Sequence, residues 1–231
     1  MRVPARFNGP PGSANGGYTC GLVAAALGAT SAEVSLRAPP PLERELALEP
    51  SADGVTVHDG ETLIAEGRTA GPMTDVTDPV TPDTAGRAAR GGYERWTAAH
   101  PFPTCVVCGP DRDDGLDVFP GALGDGRFAA TWTPDTSLAG EDGAVRPECV
   151  WAALDCPTSA PLANWGDGPP IVLARLSASL GAPVRAGEPH ALVSWELARD
   201  GRKREAACVL FDAGGTALAR SRALWIQLRE E

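Results

Sequence analysis

The chain has 231 residues, of which 43% are hydrophobic and 22% charged, a balance typical of a globular protein that buries a core. This composition excludes wholesale disorder, and 27 glycines and 22 prolines without regular spacing exclude a fibrous repeat. The net charge of -10 has the wrong sign for phosphate backbones and anionic membrane surfaces, so we expect neither nucleic acid nor a membrane as partner.

The N-terminal residues and the cysteines indicate the cellular compartment. The first residues lack the apolar core of a signal peptide, and no stretch reaches the roughly 18 apolar residues of a membrane span. Six cysteines are too few and too irregularly spaced for a disulfide framework. We therefore predict a cytoplasmic protein whose cysteines are mostly reduced, several of them buried.

The first half of the chain predicts one helix followed by a meander of strands. Residues 16–27 are small, apolar and free of proline, which is typical of a buried helix. Residues 32–39 alternate between apolar and polar, as in a strand with one buried face. Asp-Gly pairs at 53–54 and 59–60 are turn signals between further strands. The further predicted strands of this half are 43–49, 55–57 and 61–69.

A connecting segment follows, from residue 71 to residue 103. It is rich in Thr, Pro and Asp at first, and residues 83–96 then have the capping and amphipathic character of a helix despite three glycines. We interpret it as a linker that crosses from one half of the chain to the other.

The second half repeats this order with longer pieces. Two predicted strands, 116–119 and 127–133, precede a helix at 148–155, and four more strands follow it at 171–183, 190–199, 204–212 and 216–228. Two short segments of the first half are echoed in register: SLRAP at 35–39 by SLGAP at 179–183, and TLIAEGR at 62–68 by TALARSR at 216–222. Two echoes in the same order indicate an internal repeat.

The repeat predicts an α+β fold in which each antiparallel sheet wraps one helix. Two such units in one chain form an intrachain pseudo-dimer. We assign residues 1–72 to the first repeat, 73–103 to a linker that could hold a helix, and 104–231 to the second repeat. Assembly of these pseudo-dimers into a homo-oligomer is left open.

Two motifs carry a resemblance to a known family. The segment CVVCGPDRDDGL at 105–116 resembles the opening of hotdog-fold thioesterases, in which a His-Gly-Gly helix follows, with a carboxylate nine residues after the His. Here Arg146, Pro147 and Glu148 stand at the His-Gly-Gly place, and Asp155 stands at the place of the acid.

The first half supplies the complementary motif. Asn15, Gly16, Gly17 and Tyr18 resemble the Asn/His-Gly-Gly-Tyr motif of double-hotdog acyl-CoA thioesterases, but Ala24 stands where that family has its acid. The resemblance thus implies a double hotdog with one composite site, to which the first half contributes glycine amides and the second half an acid. The mirror-image site, in which Arg146, Pro147 and Glu148 would face Ala24, has neither the glycine amides nor the acid.

The resemblance also implies the chemistry of the composite site. The amides of Gly16 and Gly17 at a helix N-terminus would stabilise the oxyanion formed in thioester hydrolysis. Asp155 would be the general base or nucleophile, with a pKa raised by partial burial. Asn15 would orient the substrate carbonyl or cap the helix.

Four further residues are predicted to bind substrate. Tyr18 and Trp151, each about one turn into its helix, are expected in the core or the pocket lining, and Arg146 in a local basic patch. The second half carries 13 more residues between helix and strand than the first, and this loop holds Trp165, which would cover the mouth of the pocket. In an equally weighted alternative, Trp165 pins the loop to the sheet.

Structural explanations of the two central motifs stay open at this point. Asn15, Gly16 and Gly17 are also a plain turn with an N-cap, and Asp155 also suits a helix end shortly before Pro157. Cys105 and Cys108, with His100 nearby, have the spacing of a zinc or redox motif. Because the chain offers no second pair of ligands at a suitable spacing, we predict a turn with packed thiols, no metal and no cofactor.

The predicted function is hydrolysis of an acyl-CoA or acyl-carrier thioester at the composite site. The alternative is a protein on the same fold that binds an acyl group or another hydrophobic ligand without catalysis. A hotdog dehydratase would require a histidine near the helix, and none is there.

Overall fold

The computed structural model describes residues 1–163 and 168–229, and within them the fold is α+β, as predicted. The helices are α1 (Gly16–Ala26), α2 (Pro82–Ala99) and α3 (Pro147–Asp155). The strands are β1 (Ser31–Leu36), β2 (Ala47–Ser51), β3 (Gly54–Asp59), β4 (Thr62–Thr69), β5 (Gly121–Ala122), β6 (Arg127–Trp132), β7 (Ile171–Leu180), β8 (His190–Asp200), β9 (Lys203–Phe211) and β10 (Ala217–Gln227). None of the helices in these ranges has the length and apolar character needed to cross a membrane.

Most of the predicted elements are present, but the strand predicted at 43–49 begins only at Ala47, after the left-handed Glu43 with its φ of 60°, and the strand predicted at 116–119 is absent. Residues 116–119 do not form a sheet strand; the strand before β6 is the short β5 instead. The N–H groups of Leu116 and Val118 donate to the carbonyls of Val106 and Val107, and Asp117 between them has a φ of 56°. This left-handed residue interrupts the extended backbone that a longer strand would need.

All strands join one antiparallel sheet in the order β2-β3-β4-β1-β7-β10-β9-β8-β6-β5. The two meanders meet where β1 pairs with β7, and Glu33 lies opposite Ser177 there. The shift of 144 positions that relates Ser35 to Ser179 in the echoed segments also relates Glu33 to Ser177. At a twofold axis a residue faces its own counterpart, so the two units are related by a pseudo-twofold axis between β1 and β7.

Helices α1 and α3 lie side by side on one face of this sheet and run antiparallel. Gly17 lies against Asp155 and Trp151, whereas Gly21, one turn later, lies against Glu148. A Cβ atom on Gly17 would come within 2.4 Å of the Asp155 Cβ, so only glycine permits this close approach.

Helix α2 confirms the helix predicted in the linker, and it covers the opposite face of the sheet. Thr81 caps its first turn by accepting from the Thr84 N–H, and Pro82 begins it. Its buried Ala85 belongs to a second, smaller core with side chains of the second unit's sheet, among them Val193 and Phe211. The linker thereby places its C-terminal end, residues 96–103, beside the site described next.

Candidate active site

Asp155 is the last residue of α3, and hydroxyl groups fix the end of this helix. The last carbonyls of a helix have no partner within it. The Thr158 Oγ1 donates to the Asp155 carbonyl at 2.5 Å, and the Ser221 Oγ of β10 donates to the Leu154 carbonyl at 3.2 Å. Thr158 is itself held by the Trp225 Nε1–H, which donates to its Oγ1 at 2.8 Å. The position of Asp155 is therefore set by the sheet of its own unit.

The carboxylate of Asp155 is bound by the start of α1 in the other unit. It is 2% exposed, and its Oδ2 accepts from the Gly17 N–H at 2.9 Å and from the Asn15 Nδ2 at 3.1 Å. Its Oδ1 is buried and has no hydrogen-bond partner among the described residues. One carboxylate oxygen thus anchors the side chain, and the other is left without a partner among the described residues.

Burial raises the pKa of Asp155 to about 7. The hydrogen bond from the Gly17 N–H opposes this rise, the negative charge of a Cys105 thiolate adds to it, and the Asn15 amide again opposes it. A group that ionises near neutral pH suits the transfer of a proton during a reaction.

Asn15 has two roles that link the units. Its Oδ1 accepts from the Tyr18 N–H at 2.8 Å and so caps α1, while its Nδ2 donates to Asp155. Because both ends of the amide are engaged, its orientation is fixed. The neighbouring Gly16 N–H makes no hydrogen bond to any described residue, and Gly16 borders the cavity beside Asp155.

An apolar cavity of about 680 Å³ opens beside this carboxylate. Both units and the end of the linker contribute to its wall, and Asp155, Asn15 and Gly16 supply polar groups there. Its large apolar lining residues include Leu36, Trp96, Phe102, Ile171, Leu173 and Trp225. The volume and the lining are those of a site for a small hydrophobic ligand.

Three residues predicted to bind substrate lie outside the cavity wall. Tyr18 is buried and stacks on Phe7, with ring centroids 3.8 Å apart. Trp151 is buried in the contact between α3 and Gly21. Arg146 precedes α3, where its Nε lies 3.3 Å from a Glu148 carboxylate oxygen and its Nη1 donates to carbonyls of the preceding loop.

Trp165, the fourth residue predicted to bind substrate, lies outside the described residues. The residues that flank this part of the chain, Ala163 and Gly168, both line the cavity.

The site also contains a residue that the sequence analysis missed. Cys156 lies beside Cys105 and Cys108, and the three sulfur atoms are all within 4.8 Å of one another. Hydrogen bonds from the thiols of Cys108 and Cys156 hold the pKa of Cys105 well below its usual range. Cys156 is 51 positions from Cys105, so no motif spacing in the sequence indicates that the two residues meet. The sequence feature that could have pointed to Cys156 is its position directly after Asp155.

Comparison with solved structures finds partial similarities. No family model and no curated protein matches the chain. A crystal structure of a thioesterase superfamily protein is 26% identical, covering 52% of this chain and 61% of that chain, with a TM-score of 0.46. A thioesterase of Haemophilus influenzae is 18% identical, covering 50% of this chain and 82% of that chain, with a TM-score of 0.45.

The PaaI protein of the phenylacetic acid degradation operon of E. coli also resembles the chain. It is 12% identical, covering 65% of this chain and 97% of that chain, with a TM-score of 0.45.

Proposed function

We propose that the protein hydrolyses an acyl thioester at one composite site between its two units. The observation that carries this proposal is the position of Asp155: its carboxylate is held by the start of α1 from the other unit, at the wall of an apolar cavity. A double-hotdog arrangement, with each unit contributing what the other lacks, accounts for this pairing. At the mirror-image position Ala24 offers no carboxylate, which is consistent with a single site.

In the proposed reaction Asp155 is the general base. Its unpartnered Oδ1 takes a proton from a water molecule, whose oxygen attacks the thioester carbonyl carbon. The tetrahedral intermediate then collapses, the carbon–sulfur bond breaks, and the leaving thiolate takes up the proton from Asp155. The products are the carboxylic acid and the free thiol.

The developing oxyanion would be stabilised by the start of α1. The Gly16 N–H makes no hydrogen bond within the described residues and borders the cavity, so it is the amide that we assign to the oxyanion. The Gly17 N–H has a different role from the one its motif indicates, because it already donates to Asp155. The positive end of the α1 dipole supports both negative charges.

The cavity indicates the acyl part of the substrate more clearly than the thiol part. Its apolar wall suits an acyl group, and among the described lining residues Arg37 is the one Lys or Arg side chain, engaged by Glu66 at 2.6 Å. We propose a coenzyme A or carrier-protein thioester as substrate and a cytoplasmic location.

A non-catalytic acyl-binding protein is the second candidate. The observation in its favour is that the Gly17 N–H donates to Asp155, so two of the groups expected to act on a substrate are already engaged with each other. Hydrolysis and binding are separated by measuring both with the same set of acyl thioesters.

The test follows release of free thiol from coenzyme A and carrier-protein thioesters of increasing acyl length. Asp155→Asn should lower hydrolysis about 10²- to 10⁴-fold, the usual contribution of a general base. The control Asp200→Asn changes an exposed carboxylate at the end of β8 and should leave hydrolysis unchanged. Unchanged turnover in folded Asp155→Asn would disprove the mechanism. Thermal stabilisation by a thioester without product would favour the binding protein.

A further inference from the structure

Three cysteine sulfurs meet at the wall of the cavity. Cys105 and Cys108 come from the loop after the linker, and Cys156 follows the last residue of α3. All three side chains are buried, and the Sγ atoms of Cys105 and Cys156 are 3.8 Å apart. No disulfide joins them, and the sequence motif itself accounts for two of the three.

We propose that Cys105, Cys108 and Cys156 bind a zinc ion. Thiolates about 2.3 Å from a tetrahedral zinc ion are separated from one another by about 3.8 Å, which is the observed distance from Cys105 to Cys156. The two intervening residues between Cys105 and Cys108 match the spacing of paired cysteines in zinc sites. The third ligand comes from a distant part of the chain, so the ion would connect the loop to α3.

The loop is built to hold its two cysteines close together. The Gly109 N–H donates to the Cys105 carbonyl at 2.8 Å and closes a tight turn. A Cβ atom on residue 109 would lie 2.5 Å from the Cys105 nitrogen, so the turn requires glycine. The turn fixes the backbone positions of both cysteines before any ion binds.

His100 contacts the cluster as a hydrogen-bond donor and is not the fourth ligand. Its Nε2 lies 3.2 Å from the Cys108 Sγ, and its Nδ1 accepts from the Phe102 N–H at 2.8 Å. Because Nδ1 is an acceptor, the proton of the neutral ring is on Nε2 and points at the sulfur. The Asn15 Nδ2 lies 3.9 Å from the Cys105 Sγ. With a metal bound, these donors would stabilise the thiolates of Cys105 and Cys108, as outer donors do around metal ligands.

The fourth zinc ligand would come from the cavity. No other Cys, His, Asp or Glu in the described ranges has a ligand atom close to all three sulfurs. The three cysteines nevertheless line the cavity, where a water molecule can reach them. Zinc sites with an open coordination position have three protein ligands and a water molecule as the fourth ligand. This proposal does not depend on thioester hydrolysis, because its observations concern the sulfurs alone.

The test uses the full-length protein purified without chelators from cells grown with zinc. Elemental analysis should find one zinc ion per chain. After zinc removal under reducing conditions, cobalt(II) should restore one equivalent and give thiolate-to-cobalt charge-transfer bands together with the visible bands of tetrahedral cobalt. Absence of zinc and of these bands would overturn the proposal. A disulfide between Cys105 and Cys156, or copper or iron in place of zinc, would overturn it too.

Matched variants locate the ion. Cys156→Ala should lower the zinc affinity at least tenfold and reduce the metal content of the purified protein. Cys208 is a buried cysteine of β9 outside the cluster, and the control variant Cys208→Ala should retain one zinc ion per chain. His100→Ala should weaken zinc binding about tenfold, the lower end of the effect of losing an outer donor. Equal zinc content in Cys156→Ala and Cys208→Ala would contradict the site. The cobalt spectrum of the unmodified chain decides the proposal if a variant does not fold.

Discussion

The N–H of Gly17, in the first turn of α1, donates to the Asp155 Oδ2, at the last residue of α3, over 2.9 Å. This hydrogen bond joins the two units of the pseudo-dimer at the site. It also places a buried carboxylate at the positive end of a helix dipole, which offsets part of the cost of its burial.

The close contact of α1 with α3 predicts that residue 17 tolerates no larger side chain. In Gly17→Ala the new Cβ would lie 2.4 Å from the Asp155 Cβ and 2.7 Å from the Trp151 carbonyl. Separating the helices should lower the free energy of unfolding by about 1–3 kcal/mol. Denaturant unfolding measures this change. Gly91→Ala in α2, where a Cβ meets no atom within 4 Å, should be neutral or stabilising; equal losses in both variants would contradict the contact.

The two roles of Asn15 are separable by substitution. Asn15→Ala removes the cap of α1 and should cost about 0.5–2 kcal/mol of stability, as Thr81→Ala should at α2. Asn15→Ser restores a capping oxygen but not the hydrogen bond to Asp155, so stability should recover while hydrolysis stays low, on the order of 10- to 100-fold below that of the unmodified protein. Unfolding and thiol-release measurements test this together. Full activity in Asn15→Ser would show that Asp155 does not need the amide.

The cavity wall predicts a change in acyl-length preference. Leu173 lines the cavity, and its Cδ2 would lie 2.8 Å from a Cβ on Gly16, so it is close to the reacting groups. Leu173→Phe should shorten the preferred acyl chain, with a loss of about 0.8 kcal/mol for each methylene group excluded. Relative kcat/KM values along an acyl series measure this effect. Leu48→Phe, on the outlying strand β2, is the control, and equal losses for all acyl lengths in Leu173→Phe would contradict the prediction.

His190 contributes a loss of stability on mild acidification. It is 1% exposed at the start of β8, and burial lowers its pKa, against the raising effect of Glu188. At this residue the folded protein binds fewer protons than the unfolded chain, so the contribution of His190 is complete above the unfolded pKa of about 6.5 and is lost as the pH drops below it. Asp155, whose pKa is raised to about 7, acts in the opposite direction, because the folded protein binds a proton there that the unfolded chain does not. Between pH 7.5 and about 5.5, the change in stability on acidification should therefore be more favourable for His190→Gln than for the unmodified protein. Parallel unfolding results for the two proteins would contradict the contribution of His190.

The order of the elements and the internal repeat were predictable from the sequence because both depend on local patterns. Alternation of apolar and polar residues identified β1, and turn residues separated the following strands. The echoed segments indicated the repeat, and the structure shows that the same shift of 144 positions pairs Glu33 with Ser177 at the centre of the sheet. The prediction of a strand at 116–119 was wrong because Asp117 has a left-handed backbone conformation. That conformation accompanies hydrogen bonds to a neighbouring loop, and an alternation of apolar and polar residues carries no information about such contacts.

The sequence by itself determined that the chain has two helix-and-sheet units and that Asn15, Gly16, Gly17 and Asp155 are the candidate site. The tertiary structure alone decided how the two glycine amides divide their roles, that Tyr18 and Arg146 lie off the cavity wall, and that Cys156 joins Cys105 and Cys108. The physical reason is distance along the chain. Periodicity and capping act over a few residues, whereas these contacts join residues of different elements, which only packing of the two units on one sheet brings together.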